Sequence, residues 1–254
     1  MTVVICHCRH RGLVDPQRLR RLQQAVHAAS HRLVEIGDLC AAAAHGDVRL
    51  AAALAEEDAV LCGCHGRALR ALALRLAGRP LPGLRLLDLR DAAAGDAVAG
   101  LGLLPGPADP EAAAPDLPAA DDAWFPVIDA ERCVHCAQCL SFCLFGVYAR
   151  AADGAIQVRE PLHCKTDCPA CARVCPENAI VFPKSTDEAI NGAARTPEQL
   201  RGARIRLRPD EVFGGDLRAK LAARRAAAAA PLFRPGVFAP PPDQRGADAG
   251  GRHG

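Results

Sequence analysis

The stretch CVHCAQCLSFC, residues 133–143, sets Cys133, Cys136, Cys139 and Cys143 apart by two, two and three residues. A second run, CKTDCPACARVCP at 164–176, places Cys164, Cys168, Cys171 and Cys175 at three, two and three, with Pro176 next. The spacing has a chemical reason. A cubane iron–sulfur cluster needs four thiolates around one small body, and a tight Cys-x2-Cys-x2-Cys loop can wrap three irons with its amides pointing inward. The chain has then turned away, so the fourth thiolate must come from elsewhere. Eight such cysteines could instead hold two zinc ions, but zinc modules usually pair two ligands, a spacer and two more. Triplets with a remote fourth and a closing Cys-Pro favour iron–sulfur.

This segment, residues 121–184, resembles the bacterial-type dicluster ferredoxins, which carry two four-iron, four-sulfur clusters. In that family the fourth cysteine of each run ligates the other cluster. The resemblance therefore implies Cys133, Cys136, Cys139 and Cys175 for cluster one, and Cys143, Cys164, Cys168 and Cys171 for cluster two. It also implies an α+β ferredoxin-like fold with an internal two-fold repeat. PVID and AIQV would be the strands before each run, and FGVY and NAIVF their returns. Two features depart from the family. Leu144 stands where a proline is usual, and one residue is inserted between Cys164 and Cys168, a difference of at most about 3.5 Å of reach that a loop can absorb.

Five further cysteines lie in residues 1–90, an expected α/β domain with a small parallel sheet. MTVVICHCRH (1–10) and DAVLCGCHGR (58–67) each end an apolar run in Cys-x-Cys. Strand-like VVIC, RLVEI, AVLC and LRLLDL alternate with helical stretches from Asp15-Pro16, from Asp47 to Glu56 and from Gly66 to Ala77. Cys6, Cys40 and Cys62 fall at or just past strand ends, the edge where open α/β sheets place ligands. Cys6, Cys8, Cys40, Cys62 and Cys64 are thus expected to face one crevice, with four of the five ligating a third centre. A further iron–sulfur cluster is the preferred reading; zinc aided by His7, His10 or His65, and a dithiol redox pair, are the others. Cys62 and Cys64 precede a helix start with Arg67 nearby, which favours thiolates. CHC, DLC and CGCHGRALRAL over residues 1–78 loosely resemble the N-terminal region of the flavin-binding subunit of heterodisulfide reductases. The flavin domain itself has no counterpart here, and no G-x-G-x-x-G follows a strand, so neither flavin nor nicotinamide is expected.

The rest of the chain narrows the function classes. Residues 91–120 are rich in Pro, Ala, Gly and Asp and read as a linker, and 185–254 as an extended tail with a helical stretch at 216–233. A net charge of +2 with one Tyr and one Trp gives no field or stacking surface for nucleic acid. No apolar run approaches a membrane span, and MTVVIC has no secretory h-region, so a cytoplasmic location is expected. Thirteen cysteines there point to metal or redox chemistry and not to disulfides. The sequence thus describes an iron–sulfur electron carrier that passes single electrons between redox partner proteins. The alternatives are a reductase of disulfide-like substrates at the N-terminal thiols, and a non-catalytic component of a larger oxidoreductase. A stand-alone enzyme is the less favoured case.

Overall fold

The protein is described from a computed structural model, for residues 1–90, 96–106, 115, 117 and 120–194. All of these fall within one compact unit, Met1–Arg206. The tail expected to be extended lies outside the described residues from 195 onward, helical stretch included. Most of 91–120 does as well, although Ala97–Gly100 forms a short helix there.

The first ninety residues build a parallel four-stranded sheet. Its strands are β1 (Thr2–Cys6), β2 (Arg32–Ile36), β3 (Ala59–Gly63) and β4 (Arg85–Asp88), in the order β2-β1-β3-β4. β1 and β3 are buried along their whole lengths, as central strands covered on both faces require. The helices are α1 (Pro16–Ala28), α2 (Leu39–His45), α3 (Val48–Leu54), α4 (Gly66–Ala77) and α5 (Ala97–Gly100). Asp15 caps α1 from its side chain with Pro16 at the first turn, and the helix buries Leu19, Leu22, Ala25 and Val26 on one stripe. Asp38 and Asp47 cap α2 and α3 in the same way, and Gly78 ends α4 in a left-handed conformation. α2 is an addition to the expected elements, because its alanine-rich turn follows β2 after only two residues. α2, α3 and α4 pack together, as do α1 and α5.

The order β2-β1-β3-β4 has a consequence for function. The chain runs outward from β1 to β2 and then returns past β1 to β3, so its direction reverses between β1 and β3. That reversal opens a crevice at the carboxyl ends of the two strands, where doubly wound sheets hold their ligands.

The cysteine-rich half adds two antiparallel pairs. β5 (Val127–Ile128) pairs with β8 (Ile180–Val181), and β6 (Tyr148–Arg150) with β7 (Ile156–Val158). Two one-turn helices, α6 (Gln138–Phe142) and α7 (Ala170–Val174), lie within the two cysteine runs, carrying Cys139 and Cys171 and ending at Cys143 and Cys175. This half packs directly on the sheet domain. Arg67 of α4 donates to Asp129 at 2.7 Å and to the Asn178 carbonyl at 2.8 Å. Trp124 stacks on Phe182 with centroids 5.2 Å apart, and the Arg11 guanidinium lies over the Trp124 ring. Gly192 sits against α4, where a Cβ would lie 3.0 Å from the Ala68 nitrogen, so a side chain there would push the two halves apart. Among the described residues, no helix is long and apolar enough to cross a membrane.

Candidate metal centres

The two cysteine runs exchange their fourth members in space. Cys133 and Cys139 have Cys175 and Cys136 as their thiol neighbours, although Cys175 belongs to the second run. Cys164 and Cys171 have Cys143 as a neighbour, although it belongs to the first. The exchange follows from the repeat: α6 and α7 pack on each other, and each carries the chain from its own triplet toward the other.

The loops around these thiols turn their amides inward. His135, Ala137, Asp167 and Asn178 all have left-handed backbones despite having side chains, at φ 53, 63, 58 and 55°. Alternating right- and left-handed residues make concave nests of N–H groups that bind anions and iron–sulfur clusters. The Ala179 amide donates to Cys175 Sγ at 3.3 Å, and backbone amides likewise reach Cys133 and Cys139. The buried Tyr148 hydroxyl donates to the Cys171 sulfur and also faces Cys139 and Cys143. Burial drives the Cys139, Cys164 and Cys171 thiols up to about 12. Without a cation, such thiols stay protonated; a cluster's positive irons are what would hold them as thiolates. Inward amides, a buried hydroxyl hydrogen-bonded to sulfur and eight thiols in two runs all fit an iron–sulfur group.

The N-terminal thiols divide four to one. Cys6 closes β1, and its Sγ accepts from the Leu39 amide at the start of α2 at 3.2 Å. Cys8 follows in a left-handed conformation, φ 48°, with the Leu13 amide donating to its sulfur. Cys40 rides on α2, and Cys64 follows β3 directly. Cys6 acts electrostatically on Cys40 and Cys64, Cys8 on Cys6 and Cys64, and Cys64 on Cys40, so these four lie near one another at the β1–β3 crevice. All four are buried, at 5–7% exposure. Burial is the first cause of their raised pKa values, with Cys6 at about 12 and Cys40 and Cys64 well above the ordinary thiol.

Cys62 does not join them, contrary to the expectation that five thiols face one crevice. Its register partners are Ile5 and Leu87, so it shares their side of the sheet. That is the side of α5, since Leu87 approaches Gly100 and Arg85 donates to the Gly100 carbonyl. Cys6 points to the other side with Gly63, where a Cβ would lie 3.2 Å from both Cys6 Cβ and Leu69 Cδ2. Cys62 is fully buried, and among the described residues no thiol acts on it; burial raises it to about 12 and Arg85 opposes the rise. The end of β3 separates it from Cys64: Cys62 is still in the strand, whereas Cys64 lies beyond Gly63, where the chain bends toward α4.

Charged residues that sequence reasoning did not single out ring the four thiols. Lys184, just beyond β8, is almost fully buried and lies 2.7 Å from Asp38 Oδ2 and 2.8 Å from Asp122 Oδ1. Arg90 donates to the Pro183 and Ser185 carbonyls and faces Cys64 and Cys8. Asp88 accepts from His65 Nδ1 at 3.0 Å and faces Cys64. His7 instead meets Glu35, and His10 the Ala120 carbonyl. Among the described residues, no three His, Cys, Asp or Glu side chains close around a single ion, in the two cysteine runs or here. A cubane needs no such closing, because its four irons and four sulfides fill the space between the thiolates.

Residues 125–182 match the family model of the 4Fe-4S dicluster domain, so this half is a dicluster ferredoxin domain. An uncharacterized ferredoxin of Methanocaldococcus jannaschii is 47% identical to the chain over 64 residues, which amount to 25% of this chain and 43% of that relative. The chain therefore spans less than half of the curated relative it matches.

Proposed function

We propose that the protein is an electron-transfer protein with two four-iron clusters in its ferredoxin domain and a third centre in its sheet domain. Cys133, Cys136, Cys139 and Cys175 would hold the first cluster and Cys143, Cys164, Cys168 and Cys171 the second. Cys6, Cys8, Cys40 and Cys64 would hold the third, with Cys62 outside it. The observation that carries the third centre is the meeting of four buried thiols at the reversal point of the sheet, on a left-handed turn whose amides reach sulfur. When bound, such clusters accept and release single electrons, at potentials set by charge, hydrogen bonds to sulfur and solvent access.

The protein's own residues do the rest. The nests supply N–H donors to sulfur, Tyr148 presents a hydroxyl to the second foursome, and burial keeps water from the third. The loop after Cys8 reaches the second foursome through Arg11, which pairs with Asp122 and with Asp167, between Cys164 and Cys168. Cys136 is exposed, and Val134, Leu144, Phe145 and Leu162 carry exposed apolar surface on the same loops, where a redox partner would meet the domain. Dithiol reduction of a substrate is the weaker reading, because a reactive thiolate needs access and a lowered pKa, and these four thiols have neither. Thirteen free thiols suit a reducing compartment such as the cytoplasm.

Anaerobic purification of the full chain tests the proposal. About twelve irons and as many sulfides per chain are expected, with three one-electron signals in a redox titration followed by electron paramagnetic resonance. Iron and sulfide at about eight per chain would remove the third centre.

A further inference from the structure

The four N-terminal thiols are not completed within their own domain. Asp38, Asp88 and Arg90, which face them, come from residues 1–90, whereas Lys184 comes from the far end of the ferredoxin domain, one residue past the Trp124–Phe182 stack and Pro183. Its ammonium pairs with Asp122 and with Asp38, which also caps α2 by accepting from the Ala41 amide at 2.9 Å. α2 carries Cys40, and Cys6 receives the Leu39 amide of the same helix. Both ends of the Lys184–Asp38 pair are nearly sealed from water, at 2% and 1% side-chain exposure. The pair's charges reach the thiols directly: Asp38 faces Cys6, Cys8 and Cys40, and Lys184 faces Cys8 and Cys40.

We infer that Lys184 is a positioning residue of the third centre, lent by the ferredoxin domain, and that its buried positive charge holds the reduction potential of that centre up. The inference rests on the third-centre reading. Reduction adds one negative charge to the group held by the four thiols. A cation sealed beside that group stabilises the added charge, and water cannot replace it. Asp38 works in the opposite sense while anchoring the lysine. Lys184 does not act on the ferredoxin thiols Cys133, Cys139, Cys164 and Cys171, so the potentials of their clusters should depend on it far less. The two domains are then coupled electrostatically: the third centre is a good electron acceptor only while the ferredoxin half is docked.

The test is a redox titration of the full chain and its variants, read by electron paramagnetic resonance, with iron counted in each. Lys184→Met is expected to lower the reduction equilibrium constant of the third centre by at least about tenfold, or about 59 mV for one electron. Lys184→Arg should stay near the parent, and Asp38→Asn should move the third signal upward. Both ferredoxin signals should stay in place throughout. An unmoved third signal in Lys184→Met would overturn the inference, as would a shift of the same sign in Asp38→Asn or an equal shift of all three signals. If Lys184→Met loses a third of its iron, Lys184→Arg decides: retained iron at the parental potential supports the role, and loss there as well refutes it. A parent chain with about eight irons per chain fails earlier and separately, at the third centre itself.

Discussion

Cys62 and Cys64 are two residues apart, yet the fold assigns them opposite fates, and replacing each with alanine separates those fates. Cys62 is fully buried and has register partners Ile5 and Leu87 on the α5 side of the sheet. Cys62→Ala therefore removes one packed sulfur atom and leaves a small void. By analogy with single-methylene deletions in cores, the cost is about 1 kcal/mol. In a chain of this size that lowers the unfolding midpoint by about 2–4 °C, a small part of an ordinary stability of about 5–15 kcal/mol. Iron and sulfide should stay at the parental level. Cys64→Ala takes one of four thiolates from the crevice and should lose about four irons of about twelve, while both ferredoxin signals persist. The assay is iron, sulfide and protein from one anaerobic preparation, with thermal unfolding of the same samples. Iron loss in Cys62→Ala, or full iron in Cys64→Ala, would refute the division of the five thiols.

Two further outcomes follow from the same placement. Cys175→Ala should abolish the signal of the cluster expected at Cys133, Cys136 and Cys139, and Cys143→Ala the other, as read by site-specific spectra; loss of the opposite signals would mean that the runs do not exchange ligands. Stripping the iron should make stability fall with rising pH. Cys6 and Cys62 titrate at about 12 when folded, against about 8.5 for an unfolded thiol. Between those values the folded chain holds protons that the unfolded chain has lost, so stability is full below about pH 8.5. It then declines by up to about 1.4 kcal/mol per pH unit for each such thiol. Urea midpoints at pH 8 and pH 10 check this; equal midpoints would refute it.

Iron–sulfur ligation was legible from cysteine spacing, since a triplet loop and a remote fourth thiolate are local requirements of one small cluster, and the resemblance of residues 121–184 implied the dicluster ferredoxin domain. The parallel α/β pattern of residues 1–90 was also legible, because Asp15-Pro16, Asp47 and Gly78 mark helix ends, and the apolar runs at 3–6 and 59–62 suit doubly covered strands. Which thiols meet was not legible. Cys62 and Cys64 look equivalent in sequence, and only the pairing of Ile5 with Cys62 and the end of the strand at Gly63 set them apart. Lys184 carried no signal at all. It is a lone lysine well over a hundred residues from Cys40, and it becomes part of the site only because the ferredoxin domain packs on the sheet and buries it against Asp38. Ligand spacing is set by local geometry and can be read along the chain; the partners of a buried charge depend on which surfaces meet, and tertiary packing alone decides that.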